Sequence, residues 1–391
     1  MWTVWKGGVV CGVGIAVACM LFAGSGRSQS NSPAAAEKPL LAEQYFKNVQ
    51  ILKGIPVDEF MGTMGFIAAS TGMNCTDCHV DEALGDWSKY ADDSVPEKQT
   101  ARRMMLMVRA INQSNFGGKR EVTCYSCHRG TRRPEVIPNL KVQYSAPPPE
   151  DPDEVTTESA GGPAAEQILA KYYQAIGGEQ KAAGLKSLIG RGNYTVYDDP
   201  EPHPVELYAK SPNQRMFVMH TPNGDSTATC DGVSAWTATP QTDTPFAVLT
   251  LSGGALEGAK VDAALTLPSQ IKQILVKWKT GPLSNIDDED MQILQGTTAS
   301  GYNVKLYFDA KSGLLVRQVH YTDTPIGAIP IQVDYSDYRE VAGVKIPFKW
   351  TTTWTDGRSN FELTQVQANA MIDAAKFSKP APSVAPKAVA R

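Results

Sequence analysis

The sequence predicts two unlike folded parts in one chain: a mostly α segment over residues 41–139, then an antiparallel β domain with a few helices over residues 164–378. Three observations carry this division. Helix-length stretches with glycine stops fill the first part. A stretch rich in proline and acid, without apolar periodicity, fills residues 140–163. Short runs rich in Val, Thr, Tyr and Phe with two-residue alternation fill the second part. A chain of 391 residues also suits two domains with connecting segments better than one core.

At the N-terminus, Lys6 precedes an apolar run from Gly7 to Gly24, followed by polar Arg27-Ser28-Gln29-Ser30. A positive start, an apolar stretch and small residues at its end describe a secretory signal over residues 1–30. The run also lies near the lower length limit of a membrane-spanning helix, so an uncleaved anchor is the alternative. Either way the chain is expected to be exported, periplasmic or membrane-anchored. Cys11 and Cys19 fall inside this run and read as small apolar residues. Residues 31–40 read as a flexible leader. The net charge of −4, with no basic stripe carrying interleaved aromatics, speaks against a nucleic-acid partner.

Four of the remaining five cysteines form two copies of one motif. Cys75-Thr76-Asp77-Cys78-His79 and Cys124-Tyr125-Ser126-Cys127-His128 are both C-x-x-C-H, the attachment pattern of c-type haem. Two thiols three positions apart can each form a thioether to a porphyrin vinyl group, and the next histidine then stands beneath the iron. Other C-x-x-C chemistries fit less well. A thioredoxin-like pair needs an α/β pattern absent here. A Cys₄ zinc site gives no reason for histidine to follow both pairs. The expected cofactors are therefore two covalently bound haem c groups, on Cys75, Cys78, Cys124 and Cys127, with His79 and His128 on iron.

Each motif follows a helix and a loop. The first helix runs through Asp58–Thr71, with Gly72 as its stop, and carries Met61 and Met64 on one face. The second runs from Pro96 to Asn112, before Gly117-Gly118, and carries Met104 and Met107 on one face. A thioether opposite histidine completes a six-coordinate iron and favours its ferrous state. Methionine at helical spacing also simply packs cores, so one of each pair can ligate while the other packs. His203, His220 and His320 are alternative sixth ligands placed in the other domain. Arg102, Arg103, Arg129, Arg132 and Arg133 are candidate propionate partners or solvated surface residues.

These residues carry a resemblance. The segment Met61 to Pro134 resembles the cytochrome subunit of photosynthetic reaction centres. The match runs through Met61-x-x-Met64, Asn74 to His79, Ala101-Arg102-Arg103-Met104-x-x-Met107-x-Arg109-Ala110-Ile111-Asn112 and Val122 to Thr131. The resemblance implies that Met61 and Met104 are the sixth ligands, with Met64 as second choice at the first haem. It also implies an electron carrier whose partner is a redox protein, in that family a membrane complex. The chain departs from that family's four haems in having two attachment motifs.

In the second part, a helix is expected at Ala164–Ile176 and another interruption between about Ala255 and Trp278. Strands are expected at Gly192–Tyr197, Val205–Ala209, Met216–His220, Val304–Phe308, Leu314–Tyr321, Ile331–Tyr335 and Lys349–Trp354. Asn223-Gly224, Asp231-Gly232, Ser312-Gly313 and Asp356-Gly357 read as hairpin turns. The runs Leu306-Tyr307-Phe308-Asp309, Ser312 to Arg317 and Asp334-Tyr335 to Pro347-Phe348 are similar to LolA-like lipoprotein-sorting proteins. That resemblance implies a β half-barrel holding helices in its concavity, and lipid or lipoprotein as ligand. Cys230 reads as a buried thiol, and residues 379–391 as a disordered tail.

The expected fold is thus a mostly α dihaem cytochrome c domain followed by an antiparallel β half-barrel domain. Electron transfer is the first function expected. A lipid- or lipoprotein-binding module with a redox accessory is the alternative. A dihaem peroxidase needs an open sixth site, which two methionine-bearing helices would fill. No paired-carboxylate, Ser/His/Asp or phosphate-loop signature points to another enzyme.

Overall fold

The computed structural model describes residues 38–145, 162–240 and 245–383. The expected signal or anchor, most of the expected linker and the end of the expected tail lie outside the described residues. No helix among the described residues is long and apolar enough to cross a membrane.

Residues 38–145 carry helices α1 (Ala42–Tyr45), α2 (Val57–Thr71), α3 (Pro96–Asn115), α4 (Cys124–His128) and α5 (Leu140–Gln143). Gly72 ends α2 in the left-handed conformation at φ 64°, donating its N–H to the Ala68 carbonyl. Pro96 opens α3, where its missing N–H is no loss. Helix α5 falls inside the stretch expected to be linker. The helical part is more modest than the mostly α domain expected. Helices α2 and α3 hold most of it, and 3₁₀ turns at Cys75–Asp77, Asp81–Leu84 and Trp87–Ala91 with loops make up much of the rest. The reason is local: between Gly72 and Pro96 the chain is rich in Asp, which favours turns and caps over continued helix.

The second part opens with α6 (Ala165–Ala175) and α7 (Glu179–Gly184). Strands β1 (Ser187–Val196), β2 (Asp199–Lys210), β3 (Gln214–Thr221), β4 (Gly224–Cys230), β5 (Ala235–Ala238) and β6 (Val248–Thr250) follow. Helices α8 (Gly253–Leu265) and α9 (Ile271–Ile274) come next. Then come β7 (Leu275–Ile286), β8 (Glu289–Thr298), β9 (Asn303–Asp309), β10 (Leu315–Thr324), β11 (Gly327–Val341), β12 (Val344–Trp354) and β13 (Gly357–Ala368). Together the described strands form one antiparallel sheet ordered β6-β5-β4-β3-β2-β1-β13-β12-β11-β10-β9-β8-β7. The four expected turns join paired neighbours β3–β4, β4–β5, β9–β10 and β12–β13. The expected helical interruption is shorter than read, because Trp278 already lies in β7. Strands β4, β7, β8 and β13 escape a reading by alternation because Thr, Gln, Glu and Lys crowd them.

This sheet is curled. Helix α8 packs on β3, β4 and β5 and also on β10. Strands β3 and β10 are six ladder steps apart. Six steps of a flat sheet span about 29 Å, whereas a helix with its side chains is about 10–12 Å across. Only a sheet bent round α8 can touch it on both sides. The core inside the bend joins Ile168, Leu169, Tyr172 and Tyr173 of α6 and Val261 of α8 to Leu207, Phe217, Leu306, Phe308 and Trp350 of the sheet. Each such side chain contributes about 1.5–3 kcal/mol on burial.

The helical part and the sheet share a hydrophobic cluster. Leu52, Phe66, Met105 and Cys124 pack with Ile326 of the turn between β10 and β11 and with Ile329 of β11. Asp58 at the start of α2 accepts bonds from the Ser252 N–H (2.6 Å) and hydroxyl (2.7 Å). Tyr45 donates to the Pro245 carbonyl (2.7 Å), and its ring lies 4.3 Å from that of Phe246.

Of the residues expected to form the tail, 379–383 are described. Buried Phe377 packs with Tyr208 and Ile372, and Ser383 donates to the Asp225 carbonyl at 2.7 Å. Residues 384–391 lie outside the described residues.

Candidate functional site

Both C-x-x-C-H motifs form a single helical turn, and each turn is capped from its own sequence. In the first, the Asn74 side chain accepts from the Thr76 (3.0 Å) and Asp77 (3.2 Å) N–H groups, while Asp77 accepts from the Asn74 N–H (2.8 Å). In the second, Thr123 caps α4 and Ser126 accepts from the Thr123 N–H at 3.0 Å. A helical turn puts residues three apart on one face. Cys75 and Cys78 therefore share a face, as do Cys124 and Cys127, with the histidine following directly. This is the placement that two thioethers and one axial imidazole require.

The histidines are suited to ligation. The Nδ1 atom of His128 lies 3.0 Å from the Thr131 carbonyl. A proton on Nδ1, donated to that carbonyl, leaves the Nε2 lone pair for a metal. Burial holds the His79 imidazole below its ordinary range, the Lys98 cation adds to this, and the Tyr90 carbonyl works weakly the other way. The ring is thus neutral at neutral pH, as a ligand must be. Its Nδ1 is buried without a partner in hydrogen-bond geometry. Tyr90 meets it edge-on at 4.8 Å and stacks on Trp87 at 5.2 Å, giving this site an aromatic wall.

The methionines divide into two groups. Met64 packs against the shared cluster and Met105 is buried within it. Met61 and Met104, both half-buried, belong to none of the hydrophobic clusters among the described residues. Met107 is 44 % exposed. The packing partner on α3 is thus Met105, which an i, i+3 reading of Met104 and Met107 passes over. A buried neighbour of Cys124 is its only signal, and no local spacing reports it.

The two motifs are tied together. The Gly130 N–H, just beyond the second motif, donates to the Ser70 carbonyl near the end of α2 (2.9 Å). Any side chain at Gly72 would overlap the Gly130 carbonyl, so the two backbones meet there directly. Arg132 pairs with Glu97 at the start of α3. Buried Asn112 fastens the loop before the second motif, accepting from the Val122 N–H (2.9 Å) and donating to the Val122 carbonyl (2.7 Å).

Several sequence candidates have other duties. Arg102 pairs with Asp93 (2.8 Å) and is mostly buried, so it builds structure rather than awaiting an anion. Arg103 donates to the Thr100 hydroxyl at 2.9 Å, while Arg129 and Arg133 are exposed. The three histidines of the sheet each face an aspartate: His203 with Asp199 (2.8 Å), His220 with Asp225 (2.7 Å) and His320 with Asp262 (3.3 Å). None is brought to the motifs. Among the described residues no group of three or more His, Cys, Asp or Glu side chains is placed to hold a metal ion, and no disulfide joins the cysteines, of which Cys230 is buried. The bend of the sheet encloses a cavity of about 280 Å³, lined by Leu207, Phe217, Met219, Trp350 and Phe361 with Arg215 and Asp262.

Residues 23–160 match the family model of the photosynthetic reaction centre cytochrome C subunit. The photosynthetic reaction center cytochrome c subunit of Thermochromatium tepidum is 38 % identical over 109 residues, which is 26 % of this chain and 25 % of that protein. That of Roseobacter denitrificans is 35 % identical over 106 residues, 25 % of this chain and 27 % of that protein. The chain thus spans about a quarter of the length of the curated relatives it matches. Among solved structures, a DUF1329 family protein from Desulfovibrio piger aligns with 55 % of this chain and 96 % of its own, at 11 % identity and a TM-score of 0.39. A LolA superfamily protein from Nitrosomonas europaea aligns with 56 % of this chain and 99 % of its own, at 14 % identity and a TM-score of 0.37.

Proposed function

Proceeding from the match of the N-terminal part to the reaction centre cytochrome c family, we propose that this protein is an exported dihaem c-type cytochrome that transfers electrons. The observation that carries the reading is the shared geometry of two capped C-x-x-C-H turns, each with its cysteines on one face and a histidine able to present Nε2. Haem held there would cycle between ferrous and ferric iron and carry one electron per site. Cys75 and Cys78 hold one group, and Cys124 and Cys127 the other. His79 and His128 are the proximal ligands. Met61 and Met104 are the distal ligands, because they are the half-buried helix methionines left out of the apolar clusters, whereas Met107 is exposed. Burial favours the neutral His79 ring, and the Thr131 carbonyl lies where it can accept from Nδ1 of His128, leaving Nε2 for iron.

The bond from Gly130 to Ser70 ties the chain after the second motif to the helix before the first, an arrangement that suits passage of an electron between them. The redox partner is a second protein, in the manner of the family a membrane complex. A pyridine haemochrome assay tests the reading. Two c-type haems per chain are expected, and Met61→Ala and Met104→Ala should each remove the thioether–iron charge-transfer band of one haem. A band that survives both substitutions unchanged refutes these ligands.

The cavity of the sheet favours a second role on the same chain, as a module that takes up a lipid or a lipoprotein's acyl chain. Organic extraction of the purified full chain should yield lipid in stoichiometric amount; traces alone would dismiss this role.

A further inference from the structure

The sheet domain sends one element into the cytochrome part. The turn between β10 and β11 carries Ile326, and the start of β11 carries Ile329, 4 % and 8 % exposed, into the cluster that holds Met105 and Cys124. Arg120, in the loop before the second motif, latches this turn. Its guanidinium donates to the Thr324 carbonyl at 2.6 Å and pairs with Asp323. A cavity of about 110 Å³ between α3 and the turn is lined by Met105, Val108, Asn112, Arg120, Pro325 and Ile326. Cys124 is buried in this company while Cys127 is exposed. Ile329 faces α2 instead, its Cδ1 standing 3.0 Å from where a Cβ at Gly62, beside Met61, would lie, while His79 of the first motif has Tyr90 against it, backed by Trp87.

We propose that the β10–β11 turn is a positioning element of the second haem site: Ile326 closes its Cys124 side against water, so that the sheet domain sets the reduction potential of this haem through Ile326, while Ile329 packs on the helix of the first. This rests on the reading of Cys124 and Cys127 as a haem attachment pair. The physical link is desolvation. The ferric centre carries one more positive charge than the ferrous, and an apolar, dry surround disfavours the more charged state. Opening the turn to water therefore lowers the potential. It also gives the two haems unequal potentials within one chain, a direction for the electron supplied by a domain with no redox group of its own.

The test uses the full-length, haem-loaded protein in an optical redox titration that resolves two midpoints. Ile326→Ser should lower one midpoint so that the ferrous:ferric ratio at the wild-type midpoint falls on the order of tenfold, about 59 mV for a one-electron couple. The other midpoint should stay put. Met104→His, which changes the axial ligand of the second haem, identifies the responding haem by its spectrum. Arg120→Gln, a change at the exposed rim, provides a second variant should Ile326→Ser not fold, with a smaller shift of the same sign. Midpoints that both move equally, that do not move, or that move at the first haem overturn the inference. A wild-type protein without two haems fails the functional reading instead, so the two failures are told apart before any variant is made.

Discussion

Phe66 and Gly327 interlock: the ring of Phe66 on α2 occupies the space in which any side chain at position 327 would stand, and an added Cβ would overlap its Cζ atom. One helix of the cytochrome part is thereby keyed into a turn of the sheet. Gly327→Ala should cost about 1–3 kcal/mol through overpacking, and Phe66→Ala about 3–5 kcal/mol through the cavity it leaves. Chemical denaturation of the full chain measures both. Losses below about 0.5 kcal/mol, the range of neutral surface changes, would show that the two parts do not lean on each other here.

The contact of Gly72 with Gly130 makes a sharper demand. Gly72 sits at φ 64°, and its neighbour across the gap is backbone, which cannot swing aside. Gly72→Ala should destabilise by more than the ~1 kcal/mol of an ordinary left-handed glycine, and should loosen the loop after His128. Limited proteolysis should show faster cutting between Arg129 and Arg133. An unchanged pattern with an unchanged melting temperature would count against a direct backbone contact.

Asn112 serves three backbone groups of the loop before the second motif. Asn112→Leu keeps roughly its volume and removes every one of these bonds. Buried groups left unpaired cost about 1–3 kcal/mol, so the unfolding midpoint should fall accordingly. Asn112→Asp retains the acceptor for Glu121 and Val122 and should lose less. Equal losses in the two variants would contradict the assigned hydrogen bonds.

Acid should weaken the cytochrome part through Asp93. The Arg102 guanidinium holds its carboxyl well below the usual carboxylate range, helped by Asn48 and Lys98. A carboxyl with a depressed folded pKa contributes stability that is complete above its unfolded value of about 3.9 and is lost as pH falls through the folded value. Stability measured from pH 6 downward should therefore drop most steeply below about pH 4. Asp93→Asn should be less stable at pH 6 and flatter across the acid range. A variant as steep as the wild type would assign the acid loss to other groups.

The attachment motifs were legible in the sequence because their chemistry is local: thiols, imidazole and capping residues fall within five or six positions. Four hairpin turns were legible for the same reason. What stayed hidden was contact between distant positions. Asp58 and Ser252 are 194 residues apart, and nothing in the alternation of β10 and β11 announces that Ile326 meets Cys124. A proline- and acid-rich stretch suggests separation, yet the pieces on either side of it share a core. Met105 was missed because a heptad-like count selects Met104 and Met107, whereas burial follows the side facing Phe66 and the β10–β11 turn. Polar strands such as β13 were missed because pairing on both edges, not apolar pattern, holds them.

The central claim is that this chain holds two haems by covalent bonds. Mass spectrometry of the purified protein after acid denaturation tests it most directly. The account predicts two haem masses on the wild type, and one on a Cys75→Ala/Cys78→Ala variant or a Cys124→Ala/Cys127→Ala variant. A wild-type mass with one haem or none, or two haems that persist in either double variant, would contradict it.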